Sequence, residues 1–429
     1  MPDRGVDLRS RNVGDFALAW PDQPAGSDYI AERLLSCLLT TMSPTSKLLV
    51  DIHTHVYLPR YAALLRSRAG AATVPFIRTS TTSEGLAEDR LLILDHEPSG
   101  GRPVGPQYWD REEKLKFMDK HSIDISVVST ANPWLDFLPA SQAHTLAAEL
   151  NDDLEQYCST GPSVSSSTQI KRLYGFGLLP LVPEITTSVL LDIVNQISAL
   201  PHLRGLIMGT RGIGNGLDDG ALEPVWAAIE KAGLVVFLHP HYGVDSSAWG
   251  DKDNGHVLPL ALGFPFETTT AATRLILSGV FDKFPNLRLL LAHSGGALPA
   301  LSSRLASCID HDPVVASRLK HDARYYLGKL YLDAVAYGPE ELGFVSDVIS
   351  RSASYASGAS ASKVPNRSTG SKRMLFGTDH PFFPPLSVTD KWKSVTENLD
   401  AIASVQGWSE GDRDGVRGGN ALALFNLQG

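Results

Sequence analysis

The sequence predicts a (β/α)8 TIM barrel of the α/β class, and three observations support this prediction. Eight short runs rich in leucine and β-branched residues recur along the chain, each followed by an amphipathic stretch long enough for a helix. The runs are nearly continuously apolar, as strands buried on both faces of a parallel sheet require. An open doubly wound sheet would normally have a glycine-rich turn after its first strand, and histidines stand there instead. A closed parallel barrel is therefore the predicted fold.

The predicted strands follow one another from residue 48 to residue 379. They cover residues 48–52, 125–130, 173–179, 203–208, 234–239, 287–293, 330–335 and 373–379. Helices are expected between them, for example in "REEKLKFMDKH", "ASQAHTLAAELNDDLEQY" and "ALEPVWAAIEKA". We interpret residues 47–429 as one barrel domain and residues 1–46, which show little periodicity, as a poorly ordered N-terminal extension. The serine-, alanine- and glycine-rich stretch at 352–372 is predicted to be a surface insertion, because it can bury little apolar area.

Composition limits the classes of function. The chain of 429 residues is 43% hydrophobic and 20% charged, which is ordinary for a globular enzyme, and its net charge of −9 argues against a nucleic-acid partner. No apolar run approaches the roughly 20 residues that cross a bilayer, so no membrane association is expected. The three cysteines are far apart and form no CxxC motif, which suits a reducing compartment. These features predict a cytoplasmic location, and the net charge does not exclude a small anionic substrate, because a local pocket can be positive on an acidic protein.

Polar residues that close the predicted strands indicate a metal site. His53 and His55 follow the first strand, His239 ends the fifth, and Asp379 ends the eighth. The carboxyl ends of barrel strands meet at one mouth, and residues two apart in an extended chain face the same side. Three imidazoles and one carboxylate suit a single divalent ion, with room for water or substrate. These four residues are the predicted metal ligands.

His293 closes the sixth predicted strand, in "LLLAHSGG". It is either a further ligand or an acid/base beside the metal, and we favour the second role. The small residues after it would let a ligand or a helix terminus approach closely.

The motifs around these residues resemble a known superfamily. "DIHTH", "FLHPHYG", "LLAHSGG" and "RMLFGTDHPFFPP" look like the amidohydrolase superfamily, and more narrowly the branch of aminocarboxymuconate-semialdehyde decarboxylase and related non-oxidative decarboxylases. Within that branch the chain resembles the fungal iso-orotate (5-carboxyuracil) decarboxylases. This similarity runs from about residue 48 to "FFPP" and includes "ANPWLDFL", "GHVLPLALGFPFETT" and "LDAVAY".

The resemblance implies roles for particular residues. It implies the same four metal ligands, with Asp379 also the proton donor and His293 an active-site histidine. It further implies that the following residues contact the substrate: Arg102, Asn132, His256, Arg304 and Phe382. The arginine that matches Arg304 reaches the neighbouring subunit's site in the family, which implies a homodimer.

Taken alone, these residue types also have simpler explanations. Arg102 could equally well line a pocket or lie on the solvated surface. Arg304 lies in a helical stretch and could form a salt bridge there. Phe382 could belong to the core, although a ring beside a planar substrate is equally natural. Asn132 directly follows the second predicted strand, which places it well to hydrogen-bond a carbonyl oxygen or a ring nitrogen.

Two enzyme classes use a site of this kind. A hydrolase would use the metal to produce hydroxide near neutral pH, whereas a decarboxylase must hold a carboxylate and deliver a proton to the departing carbon. Binuclear hydrolases of the superfamily commonly bridge two metals with a modified lysine after the fourth strand, and "LRGLIMGTRGIGNG" contains no lysine. A single-metal decarboxylase is therefore favoured over a mononuclear hydrolase or a catalytically inactive metal-binding scaffold.

The predicted reaction is the decarboxylation of a pyrimidine or aromatic carboxylic acid. Conversion of iso-orotate to uracil is the leading prediction, and acids of the 6-methylsalicylate or aminocarboxymuconate-semialdehyde type are the alternatives. One divalent ion is expected, with Zn2+ preferred and Mn2+ or Co2+ as alternatives, and no organic cofactor is expected.

Overall fold

Strands and helices alternate along the chain. The computed structural model describes residues 47–427 apart from residues 72, 83, 95–99, 253, 361, 386 and 388, and it does not describe the side chains of 246 and 248. Its strands are β1 (Val50–Val56), β2 (Phe76–Thr81), β3 (Ala87–Leu92), β4 (Arg102–Val104), β5 (Ile125–Thr130), β6 (Leu173–Leu178), β7 (Leu203–Gly209), β8 (Val235–His239), β9 (Arg288–Leu291), β10 (Tyr331–Asp333) and β11 (Met374–Leu375). The predicted extension at 1–46 lies outside the described residues.

Eight of these strands form the barrel. They make one parallel sheet in the order β1-β5-β6-β7-β8-β9-β10-β11. An isolated parallel bridge between Thr54 and His380 brings the chain after β11 back to β1. β5, β6 and β8 are buried at every residue, as expected where helices cover the outer face of a sheet. The predicted (β/α)8 barrel is confirmed.

The helices cover the outside of the barrel and form its loops. The α-helices are Pro59–Ser67, Pro106–Trp109, Arg111–Lys120, Ala140–Ser159, Thr187–Ala199, Glu223–Ala232, Phe264–Leu277, Val280–Lys283, Leu298–Asp310, Pro313–Ala316, Ala323–Leu327, Pro339–Ser350, Arg367–Ser371, Lys393–Ser404, Glu410–Asp414 and Asn420–Leu424. Shorter 3-10 turns are Gly220–Leu222, Ser246–Trp249, His293–Gly295 and Ser352–Tyr355, and π-helical turns are Pro259–Gly263 and Gly415–Gly419. None of the described helices combines the length and the apolar character that crossing a bilayer demands.

The strand ends differ from the prediction where the site residues lie. β1 runs past residue 52 through both histidines to Val56. β9 and β11 stop short of His293 and Asp379, which therefore lie in the connections after their strands. The φ angles of these two residues are 54° and 55°. A residue whose backbone is in the left-handed region cannot continue a strand, so the chain turns sharply at both positions.

A second, smaller sheet was not predicted from the sequence. β2, β3 and β4 pair antiparallel in the segment between β1 and β5. β2 is mostly exposed or half-buried, and its "FIRTST" sequence lacks the apolar continuity that marks the barrel strands. This sheet carries Arg102 on its last strand.

The serine-rich stretch has some regular structure at its two ends. Residues 352–372 begin with the 3-10 turn and contain the short helix Arg367–Ser371. Ser352, Gly370 and Ser371 are buried, and most residues described between them are exposed. The interpretation of this stretch as an insertion remains a prediction.

Candidate metal centre

The four side chains predicted as ligands converge at the mouth of the barrel. One imidazole nitrogen each from His53, His55 and His239 and one carboxylate oxygen of Asp379 all lie within 4.8 Å of one another, and all four residues are buried. The Nε2 atoms of His53 and His55 lie 3.3 Å and 3.5 Å from Oδ1 of Asp379. Residues from β1, β8 and the turn after β11 thus meet around one point.

Each imidazole of the cluster is anchored through its other nitrogen. The Nδ1 atoms make hydrogen-bond contacts as follows: His53 with Oδ2 of Asp333 at 2.6 Å, His55 with Oγ of Ser129 at 2.9 Å, and His239 with the carbonyl oxygen of Pro240 at 2.8 Å. The three Nε2 atoms are buried and have no hydrogen-bond partner in the described chain. Buried polar atoms normally have partners, and an anchored Nδ1 fixes the ring so that Nε2 can bind a metal. The donor set therefore fits one divalent cation.

Asp333, the last residue of β10, belongs to this centre although it is not among the residues predicted from the sequence. Its fully buried carboxylate contacts His53 and accepts the backbone N–H groups of His293 at 2.9 Å, Ser294 at 2.7 Å and Val335 at 3.1 Å. It ties one ligand to the turn that carries His293. The sequence contained the necessary signal, because Asp333 is a polar residue in the predicted strand "LYLDAV", at the same mouth as the other ligands.

His293 lies beside the carboxylate of Asp379. Its Nε2 atom is 3.8 Å from Oδ2, whereas His53 and His55 face Oδ1. The two carboxylate oxygens therefore have different neighbours. The small residues after His293 allow close helix packing: at Gly296, with φ of 61°, an added Cβ would lie 2.3 Å from the carbonyl oxygen of Pro265.

Burial and charge set the protonation of the cluster. Burial lowers the pKa of His55 to about 4 and holds the pKa of His239 well below its usual value, so both rings are neutral at pH 7. Burial alone would also lower the pKa of His53, but the neighbouring Asp379 and Asp333 carboxylates raise it to about 10. Burial would raise the pKa of Asp379, yet the charge of His53 and the close approach of the His293, His53 and His55 rings to its carboxylate hold this pKa well below its usual range. The two carboxylates thus favour positive charge at this centre.

The cluster opens into a cavity of about 820 Å³, which lies within the range of ordinary ligand sites. Asp379, His293 and His239 form part of its lining. Aromatic and aliphatic groups dominate the rest, including the rings of Tyr108, Phe264, Tyr337, Phe382 and Phe383. A planar, mostly apolar molecule with an anionic group at the metal end would suit this space.

Four of the five predicted substrate contacts line the cavity, namely Arg102, Asn132, His256 and Phe382. Cζ of Arg102 lies 5.6 Å from the centroid of the Phe382 ring, and that ring is 5.6 Å from the imidazole of His55, measured between centroids. Asn132 is buried, and its Nδ2 atom donates to the carbonyl oxygen of His241 at 2.5 Å. Arg102 thus lines the cavity, and Phe382 both lines it and packs against the barrel core.

Arg304 is placed elsewhere. It is exposed on the helix Leu298–Asp310 and is absent from the lining of this cavity. Its predicted contact with substrate thus requires a second copy of the chain.

Several lining residues had no signal in the sequence. Arg90 and Gly101 come from the small sheet, whereas Lys393 and Glu397 come from the helix Lys393–Ser404. Arg90 donates through Nε and Nη2 to the carbonyl oxygen of Gly101, at 3.2 Å and 2.8 Å, and so supports the turn before Arg102. These residues follow no barrel strand, so the rule that selected the ligands could not select them.

Comparison with known proteins shows that the chain belongs to the amidohydrolase family. A family model described as Amidohydrolase matches residues 196–427. The fold of the crystal structure of Metarhizium anisopliae IDCase in apo form is similar, with a TM-score of 0.76 and 39% sequence identity, covering 90% of this chain and 99% of that chain.

Two relatives known from their sequences are similar over most of their length. The 2-amino-3-carboxymuconate-6-semialdehyde decarboxylase of Dictyostelium discoideum is 28% identical over 380 residues, covering 88% of this chain and 91% of the relative. The gamma-resorcylate decarboxylase of Rhodococcus jostii is 26% identical over 339 residues, covering 75% of this chain and 91% of the relative.

Proposed function

Since the chain belongs to the amidohydrolase family, as its motifs predicted, we propose that it is a carboxy-lyase that decarboxylates a cyclic carboxylic acid with the help of a metal ion. The observation that carries this proposal is the buried cluster of three histidines and one aspartate at the base of an aromatic-lined cavity. The decarboxylases among its relatives support the reaction class. A metal-dependent hydrolase would use the same cluster, and the experiment below separates the two.

The proposed metal ligands are Nε2 of His53, His55 and His239 together with Oδ1 of Asp379. When bound there, the ion supplies positive charge that holds the substrate carboxylate and an adjacent oxygen. Imidazole and carboxylate donors accept Zn2+, Mn2+ and Co2+, and we propose Zn2+ as the resident ion.

Asp379 and His293 are proposed to deliver the proton that replaces the carboxylate on the substrate ring. Decarboxylation breaks the bond between ring and carboxylate, leaves the electron pair on the ring carbon, and requires a proton at that carbon. Oδ2 of Asp379 lies 3.8 Å from Nε2 of His293, and both residues line the cavity. A carboxylate that binds a divalent ion is ionised, so Asp379 must first receive the proton that it delivers. His293 would supply the proton that Asp379 passes to carbon.

We propose iso-orotate as the substrate and uracil as the product. Metarhizium anisopliae IDCase, an iso-orotate decarboxylase, supports this assignment at 39% identity. Arg102, Asn132 and His256 offer polar groups for the ring carbonyls and the N–H groups of a pyrimidine. Phe382 would pack against the planar ring.

A panel of acids tests the proposal. The purified protein would be incubated separately with iso-orotate, 6-methylsalicylate, 2,6-dihydroxybenzoate and a cyclic amide, and carbon dioxide and products would be measured. We expect carbon dioxide and uracil from iso-orotate. Release of carbon dioxide only from a salicylate-type acid would reject the pyrimidine assignment but keep the reaction class. Amide hydrolysis without carbon dioxide release from any acid would reject the decarboxylase.

Arg304 is proposed to reach the cavity of a neighbouring copy. The Arg304→Ala variant should then lose most of its activity, because an anionic or carbonyl oxygen of the substrate loses its guanidinium partner. Co-expression of the Arg304→Ala and Asp379→Ala chains should restore partial activity, since each hybrid dimer contains one complete site. Arg318→Ala, at another exposed arginine, provides the control. Absence of recovery in isolated hybrid dimers would contradict the shared site.

Asp333 is expected to affect metal binding without touching the ion. In Asp333→Asn an amide NH2 group replaces one carboxylate oxygen. This NH2 group would face N–H groups that now donate to the carboxylate, and two donors cannot pair with each other. We expect metal affinity to fall about 10- to 100-fold, as for other residues that orient ligands. Competition with a chromophoric chelator measures the change. Asp119→Asn, at an exposed aspartate paired with Arg172, is the control, and equal affinities in the two variants would refute the orienting role.

A further inference from the structure

Two buried charged residues contact the neighbours of the metal cluster and have no part in the proposed reaction. Lys114, on the helix Arg111–Lys120, and Asp51, on β1, are both fully buried. Placing an ammonium group away from water is costly unless it is well paired. Burial lowers the pKa of Lys114 to about 8, opposed by the charge of Asp51, so the group is mainly an ammonium donor at pH 7.

The contacts of Lys114 are with residues next to the proposed ligands. Its Nζ atom donates to Oγ1 of Thr54 and lies 3.1 Å from Nδ1 of His380. Thr54 lies between His53 and His55 in the sequence, and His380 follows Asp379. One ammonium group therefore links the two chain segments that carry three of the four ligands.

The same helix contacts His380 a second time. The ring of Phe117 stacks on the imidazole of His380, with centroids 3.7 Å apart. Phe117 is three residues after Lys114, so both side chains leave the same face of the helix. The position of His380 is thus fixed by two neighbouring groups of one rigid element.

These contacts lie at the seam where the barrel closes. β11 pairs with β10 over only two residues, and Thr54 and His380 form an isolated bridge across the seam. The backbone N–H of Asp379 donates to the carbonyl oxygen of His53 at 2.8 Å. The carboxylate of Asp51 accepts the Oγ1 hydroxyl of Thr378 at 2.8 Å. Four backbone hydrogen bonds of 2.7–3.2 Å join residues 52–55 to residues 376–380 across the seam. The side-chain contacts of Lys114, Thr54 and Asp51 lie beside these bonds and add to them.

We propose that Lys114 is a positioning residue of the metal centre. Together with the backbone bonds of the seam, it holds Thr54 against His380 and thereby keeps Asp379 at its distance from His53 and His55. This inference rests on the proposed function, because it assumes that these residues bind an ion. It assigns a role to a buried lysine that neither contacts the ion nor lines the substrate cavity.

The test compares cobalt binding by three variants and the unaltered enzyme. Lys114→Met removes the ammonium group. Thr54→Val keeps the side-chain shape but removes the hydroxyl that joins this group to His380, because Oγ1 of Thr54 accepts from Lys114 and donates to the carbonyl oxygen of His380 at 3.2 Å. Lys116→Met is the matched control, because Lys116 is an exposed lysine on the same helix whose Nζ pairs with Glu113 at 2.7 Å. The visible absorption of bound Co2+ reports ligand geometry, chelator competition reports affinity, and thermal unfolding of the metal-free proteins reports stability.

We expect Lys114→Met and Thr54→Val to change the Co2+ spectrum and to weaken Co2+ binding about 10- to 100-fold. The kcat of both variants should fall, and their KM should change by a smaller factor. Lys116→Met should match the unaltered enzyme. Unaltered spectra and affinities in folded Lys114→Met and Thr54→Val would overturn the inference, and if Lys114→Met does not fold, Thr54→Val alone decides. Failure of the unaltered enzyme to bind Co2+ would instead reject the proposed metal centre.

Discussion

Turnover is expected to disappear when Asp379 is replaced by alanine. Oδ1 of Asp379 lies beside His53 and His55, and Oδ2 lies 3.8 Å from His293. The substitution therefore removes one proposed ligand and the group proposed to protonate the ring carbon. Loss of a general acid alone costs about 10²- to 10⁴-fold in rate, and a weakened metal site adds to that loss.

The Asp379→Asn variant separates these two roles. An asparagine retains an oxygen that can approach the ion, but its amide carries no acidic proton to deliver. We expect this variant to keep part of its metal content and to form no product. Elemental analysis gives the metal content, and carbon dioxide release gives the turnover of the same sample.

His144→Ala provides the control for both variants. His144 is a half-buried residue of the helix Ala140–Ser159, away from the lining of the cavity. Its replacement should leave turnover intact. Product formation by the Asp379→Ala variant at an undiminished rate would show that the proton comes from another group.

The metal cluster could be predicted from the sequence because of how a parallel barrel is built. All barrel strands run in the same direction, so the polar residues at their carboxyl ends meet at one mouth whatever their separation in the sequence. His239 and Asp379 are 140 residues apart in the numbering and still lie within 4.8 Å through one ligand atom each. The same rule would have selected Asp333. The positions of His293 and Asp379 in turns after short strands could not be predicted, since a left-handed φ at a histidine or an aspartate leaves no pattern in the sequence.

The remaining parts of the site depend on long-range packing. Arg102 lines the cavity from β4, the last strand of the small antiparallel sheet, and the short polar strands of that sheet lack a clear periodicity. Lys114 is a charged residue in a helix with many charges, which by pattern alone would be exposed, yet it is fully buried. Its burial follows from the presence of Asp51 and Thr54 on the facing strand, which only the folded chain brings near.

Removal of the metal ion is expected to abolish turnover while the chain stays folded. The barrel is held by an extensive apolar core on both sides of its strands, and the four proposed ligands are a small part of the buried residues. Dialysis against a strong chelator should therefore give a protein with an unaltered far-ultraviolet circular dichroism spectrum and no release of carbon dioxide from iso-orotate. Without the cation, the buried cluster lacks the charge that holds the substrate carboxylate next to Asp379.

Reconstitution of the metal-free protein with one metal at a time would then identify the ion. Zn2+, Mn2+ and Co2+ would be added separately to the chelated protein, and metal bound per chain would be measured together with rate. We expect one ion per chain at full activity, because the structure brings together one set of three imidazoles and a carboxylate within the described residues. Two ions per chain at full activity would contradict the single-metal site and reopen the binuclear hydrolase alternative. Full activity of the metal-free, folded protein would reject the metal-dependent reaction altogether. A second resident ion could not explain such a result, because the described residues contain no other comparable group of histidines and carboxylates.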